Sequence, residues 1–129
     1  MTYLEKADTL SRTTTNDSLK TKYYSKISLA YLRLNDSIKF RKANYLTQKF
    51  AKKTGDSIAQ AEVHWDLAEF LRANAVLDSA YYHFLAAQKI YNGLEKKSLS
   101  GRMYYNMALV QKDVRDYTGS EINTIKAIE

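Results

Sequence analysis

The sequence predicts an all-α fold, an α-solenoid of about seven helices stacked as antiparallel pairs. Three observations lead there. The pattern Tyr24-x-x-Ile27-Ser28-x-x-Tyr31 recurs as His64-x-x-Leu67-Ala68-x-x-Leu71 and as Tyr104-x-x-Met107-Ala108-x-x-Gln111, offset by 40 residues both times. A fixed period of that size marks a repeat architecture. Asp-Ser recurs before an apolar or small residue at Asp17-Ser18, Asp36-Ser37, Asp56-Ser57 and Asp78-Ser79. Both side chains accept bonds from the free N–H groups of a first helical turn, so helix starts recur about every twenty residues. Four glycines and no proline in 129 residues leave few of the turn formers that strands and long loops require.

Each element follows from these marks. Residues 2–13 read as the trailing helix of a pair, because Ala7, Thr47, Ala87 and Ala127 share the 40-residue phase, as do Leu10, Phe50 and Ile90. Residues 17–34 form a leading helix, with Tyr24, Ile27, Ser28 and Tyr31 on one face by their spacing of three and four. Residues 37–53 trail it, starting at Asp36-Ser37. A second leading helix, 57–74, starts at Asp56-Ser57. Its partner, 78–92, carries Ala80-x-x-x-Phe84-x-x-Ala87 and is expected to stop at Asn92-Gly93 in the left-handed conformation. Residues 98–114 lead the third pair and 117–129 trail it. Links this short make neighbouring helices antiparallel. The organisation expected is one repeat domain over 1–129: the end of a preceding repeat in 1–16, then repeats at 17–55, 56–96 and 97–129, the last truncated. Neither end carries the polar capping helix that a solenoid needs, so the chain is expected to be a segment of a longer protein.

The paired patterns resemble the two halves of the tetratricopeptide repeat, W-x2-L-G-x2-Y and A-x3-F, over nearly the whole chain. The middle copy fits best, with Leu67 and Ala68 in its leading helix and Ala80, Phe84 and Ala87 in its trailing helix. In the first copy Phe40, Asn44 and Thr47 fill the trailing places, a poorer match. Two features depart from the family: the period is 40 rather than 34, and the closing proline is absent. The six extra residues fall after Thr47 and Ala87, so the trailing helix or its turn is longer than usual. Extended repeats of this kind are similar to those of bacterial regulators, in which repeats precede a membrane helix and a histidine kinase or a DNA-binding domain.

The resemblance implies a right-handed superhelix whose leading helices line a concave groove and bind a peptide or protein domain. The groove-facing stripe would comprise Lys22, Ser25, Lys26, Leu29 and Arg33 in the first copy; Glu62, Trp65, Asp66, Glu69 and Arg72 in the second; and Arg102, Tyr105, Asn106, Leu109 and Lys112 in the third. Aromatic and arginine residues carry most binding energy at interfaces, which makes Trp65 and Tyr105 the preferred anchors. The alternative is that both pack between adjacent leading helices. Some family members grip a C-terminal carboxylate with matched basic and amide residues; Lys26 and Asn106 suit that role, but Asp66 between them repels a carboxylate.

The chemistry of catalysis is not written here. His64 and His83 sit on different helices without an H-E-x-x-H pair or any cysteine, and both are expected to be structural. The glycines are isolated, so no phosphate loop is present. Glu62 with Asp66, and Asp113 with Asp116, read as solvated carboxylates. No nucleophile has an activating base in its context. The expectation is therefore a protein that is not an enzyme and takes no cofactor or metal.

Charge is uneven. Residues 1–60 hold 12 Lys/Arg against 5 Asp/Glu, and residues 61–129 hold 8 against 9. Lys39, Arg41, Lys42, Lys49, Lys52 and Lys53 share one face of the third helix, opposite Phe40, Ala43, Thr47 and Phe50. That face reads as a solvated surface, with an acidic protein as the next reading. Nucleic acid is disfavoured, because base-stacking aromatics are not interleaved with the lysines. No apolar run is long enough to span a membrane, and no signal peptide is visible. Without cysteines, bacterial cytoplasm and periplasm both fit. The function predicted is a scaffold in a signalling or regulatory protein; its alternative is a segment that holds another domain of its own chain or a second copy, as a homodimer.

Overall fold

The computed structural model describes residues 3–129, which form seven helices. These are α1 (Tyr3–Thr13), α2 (Asp17–Arg33), α3 (Ser37–Thr54), α4 (Ser57–Ala73), α5 (Leu77–Gly93), α6 (Lys97–Asp113) and α7 (Tyr117–Ile128). The predicted boundaries lie within one residue of these; the predicted start at Thr2 lies outside the described residues. The chain forms two compact units, residues 1–66 and 67–129, and the division falls inside α4. In the first unit α1 packs on α2 and α2 on α3; in the second α5 packs on α6 and α6 on α7.

One turn, repeated five times, joins the helices from α2 onward. A residue in the left-handed region closes each link: Asn35 (φ 57°), Gly55 (φ 69°), Ala75 (φ 60°), Glu95 (φ 58°) and Arg115 (φ 63°). The N–H one position later donates across the turn, Asp36 to Tyr31, Asp56 to Ala51, Val76 to Leu71, Lys96 to Tyr91 and Asp116 to Gln111, at 2.7–3.0 Å. This is the Schellman closure, which satisfies the last carbonyls of a helix. The donor residue is at once the cap of the next helix: Asp36, Asp56 and Asp116 accept from the N–H groups of Lys39, Ala59 and Gly119. The 40-residue period is therefore two twenty-residue steps of identical geometry. Every link is minimal and leading and trailing helices are nearly equal in length, 17 residues in α2 and α4 against 18 in α3 and 17 in α5, so the length beyond the tetratricopeptide pattern is not confined to the trailing helix or its turn.

Three local expectations are corrected. Asn16, not Asp17, caps α2, accepting from Leu19 N–H at 3.1 Å; Asp17 lies in the first turn, where a carboxylate suits the helix dipole. Asp78 does not cap α5, which starts at Leu77 after Val76 with no side-chain cap bond. Gly93 is helical, and the left-handed residue is Glu95. A side chain with a Cβ is strained at such a φ. Ala75→Gly is accordingly expected to stabilise the protein by roughly 0.5–1 kcal/mol, and Gly55→Ala to destabilise it by about 1 kcal/mol, in urea denaturation.

The repeat places are the core. In the first unit Ala7, Tyr24, Ile27 and Ala43 form one cluster, with Tyr31, Leu46 and Phe50 against it. Tyr24 stacks on Phe50 at 5.9 Å between centroids. Phe40 and Ala80, 40 residues apart, are both 0% exposed, and Asn44 and Phe84 are likewise buried at equivalent places. The large ring thus occupies the first place in one copy and the place one turn later in the next. Asn44 fills the smaller volume and satisfies its buried amide by donating to the Val63 carbonyl at 3.2 Å, as a buried polar group must. In the second unit Gln88 donates to Ser100 (3.1 Å) and Asn123 to Gln111 (2.6 Å), tying α5 and α7 to α6. Gly101 is needed for close approach: a Cβ there would stand 2.9 Å from the Ala127 carbonyl oxygen of α7.

Candidate binding clefts on the leading helices

Packing of the small and apolar places against the trailing helices turns the opposite stripe of each leading helix outward. In the first unit that stripe opens onto a cleft of about 500 Å³. Lys22, Ser25, Lys26 and Leu29 form the α2 wall, and Asp56, Ile58, Ala59 and Glu62 form the wall at the start of α4. A lysine wall thus faces a carboxylate wall. The Ser25 hydroxyl donates to Glu62 across the cleft over a long 3.5 Å.

Glu62 titrates above the ordinary carboxylate range. Desolvation is the largest cause, the Asp56 carboxylate adds to it, and the Ser25 bond offsets part of the rise. Between the ordinary value of 4.5 and its higher folded value, the folded chain binds more protons at this site than the unfolded chain. Its contribution to stability therefore falls as pH rises through that window. Glu62→Gln is expected to raise the melting temperature at pH 7 by a small margin that vanishes at pH values below the window, measured by thermal melts across pH.

In the second unit Glu69, Arg72 and Ala73 of α4, Asn106 and Asp113 of α6, and Phe84 line a cleft of about 350 Å³. Arg72 Nε donates to Asp113 Oδ2 at 2.8 Å, and both side chains remain part-exposed. Such a pair contributes little to stability but fixes the orientation of the guanidinium along the cleft.

The predicted stripe therefore divides. Lys22, Lys26, Leu29 and Glu62 come together in one cleft, and Glu69, Arg72 and Asn106 in the other. Trp65 and Asp66 are half-buried on α4 and Tyr105 is 52% exposed on α6, and none of the three lines either cleft. Arg33, Arg102 and Lys112 are exposed and Leu109 is half-buried, all outside the lining of these two clefts. Sequence reasoning missed Asp56, Ile58 and Asp113. Asp113 was detectable, because it stands 41 residues after Arg72 and so one repeat away with opposite charge.

His64 and His83 are both half-buried. Burial pushes His83 below the ordinary imidazole value, and its ring meets Tyr82 edge-on at 5.1 Å. Among the described residues no group of three or more His, Cys, Asp or Glu is placed to hold a metal, and no helix is long and apolar enough to cross a membrane.

No family model matches the chain, and no curated protein matches it. Among solved structures, that of BtubC (BKLC) from P. vanneervenii superposes with a TM-score of 0.80 at 18% identity, over 96% of this chain and 54% of that one. The fold is all-α and built of antiparallel helix pairs. The chain spans about half the length of that protein.

Proposed function

We propose that this chain is a protein-binding module of the tetratricopeptide-repeat type, serving a bacterial signalling or regulatory protein by binding and not by catalysis. One observation supports the reading: part of the leading-helix stripe deduced from the repeat lines clefts within both units, with Lys22, Lys26 and Glu62 in one and Glu69, Arg72 and Asn106 in the other. These side chains project from rigid helices, so a partner segment meets a preformed surface and little ordering cost opposes association. Facing walls of opposite charge in the first cleft favour a segment that carries both signs. Peptides selected from a displayed library should lose about tenfold in affinity for Lys26→Glu in isothermal titration. Selected peptides that bind this variant unchanged would remove the first cleft from the reading.

A second reading, self-association, is favoured by α7. It carries three exposed isoleucines, Ile122, Ile125 and Ile128. Light scattering that reports only a monomer at high concentration excludes this reading.

A further inference from the structure

The outward face of α3 is an 18-residue helix surface with six cations and no acidic residue in its own sequence. At about 100° per residue, Ile38, Lys42, Tyr45, Lys49, Lys52 and Lys53 form one stripe, flanked by Arg41 and Lys39. All eight side chains are exposed, Ile38 at 84% and Tyr45 at 63%. Beside the stripe, on the Lys39 and Lys42 side, a cleft of about 300 Å³ opens between α1 and α3. Its floor is apolar, made by Ile27, Tyr31, Ala43 and Leu46, and Leu4 closes it from α1. Glu5 and Asp8 stand on the far rim, where Asp8 pairs with Arg12 at 2.9 Å. Lys39 lies over the Tyr31 ring at 5.6 Å, and Lys53 is paired with Asp17 at 3.0 Å.

We propose that this face docks an acidic amphipathic helix of a partner protein, whose carboxylates meet the α3 lysines while one apolar side chain enters the α1–α3 cleft. Charge complementarity selects an acidic partner, and the apolar features select a protein over other polyanions. Nucleic acid has phosphates for the lysines but nothing for Ile38 or for the cleft floor. An anionic bilayer meets the stripe as a plane and leaves the recessed cleft unfilled. A helix suits the spacing, since Ile38 and Tyr45 are two turns apart, roughly 10 Å along the axis, and a partner helix repeats its own apolar residues at that interval. The face lies on a trailing helix and is independent of the leading-helix clefts.

The test uses a fluorescent Glu-rich helical peptide with leucines at helical spacing, a copy with serine in place of each leucine, a duplex DNA of random sequence, and phosphatidylcholine vesicles with about one third phosphatidylserine. The leucine peptide should bind tightest. The triple variant Lys42→Glu/Lys49→Glu/Lys52→Glu should weaken it at least about tenfold, with an unchanged circular dichroism melt. Lys26→Ala/Arg72→Ala, one change in each leading-helix cleft, should leave it unaltered, which separates this site from those clefts. Equal binding of the serine peptide, tighter binding of DNA or vesicles, or indifference to the triple variant overturns the proposal.

Discussion

Phe84→Ala is expected to cost about 3–5 kcal/mol in urea denaturation, a large part of the 5–15 kcal/mol that holds a typical domain folded. The ring is 1% exposed and stands beside Ala80 and Ala87, which are too small to close over the void. Both the transfer free energy of the ring and the cavity it leaves are lost. Two residues earlier Tyr82 is 63% exposed, and Tyr82→Ala should stay within about 0.5 kcal/mol. The contrast tests the repeat phase itself. If the costs of the two substitutions were similar, the α5 face assigned to the core would be wrong. Phe40→Ala should match Phe84→Ala, since the two rings exchange places between copies.

The larger functional effect is expected from Trp65→Ala with Tyr105→Ala. Aromatic anchors at interfaces each contribute about 2 kcal/mol or more, so each substitution should weaken capture of a peptide selected on its own unit by at least about tenfold, with the melting temperature nearly unchanged. Tyr105 presents half of its surface to solvent and so is available to a partner. A collapse in stability would instead place both rings among the packing residues of the leading helices and remove them from the binding surface.

The helix boundaries were legible in the sequence because the 40-residue phase and its small residues run through the whole chain, and Asp-Ser lies within one residue of the starts of α2, α3, α4 and α5. The left-handed closures were not legible. Only Gly55 announces itself; Asn35, Ala75, Glu95 and Arg115 are imposed by the packing on both sides of each link, and tertiary packing overrides a local preference of about 1 kcal/mol. The same holds for the caps. Asn16 and Asp17 are both good capping residues, and the register of α2 against its neighbours decides between them. Of the candidate site, the α2 and α4 stripes were legible as surfaces opposite the core face. The Arg72–Asp113 pair left a trace that was passed over: the two residues have opposite charge and stand one repeat and one position apart, a diagonal that a strict 40-residue comparison does not pick up.

The central claim is that the leading helices are the binding surface. The most direct measurement is backbone amide chemical-shift mapping of a selected peptide titrated into the isotope-labelled chain. Perturbations are expected at Lys22, Ser25, Lys26, Leu29 and Glu62 for a peptide seated in the first cleft, or at Glu69, Arg72 and Asn106 for one seated in the second. Perturbations confined to α3, α5 and α7, with the α2, α4 and α6 stripes unmoved, would contradict it.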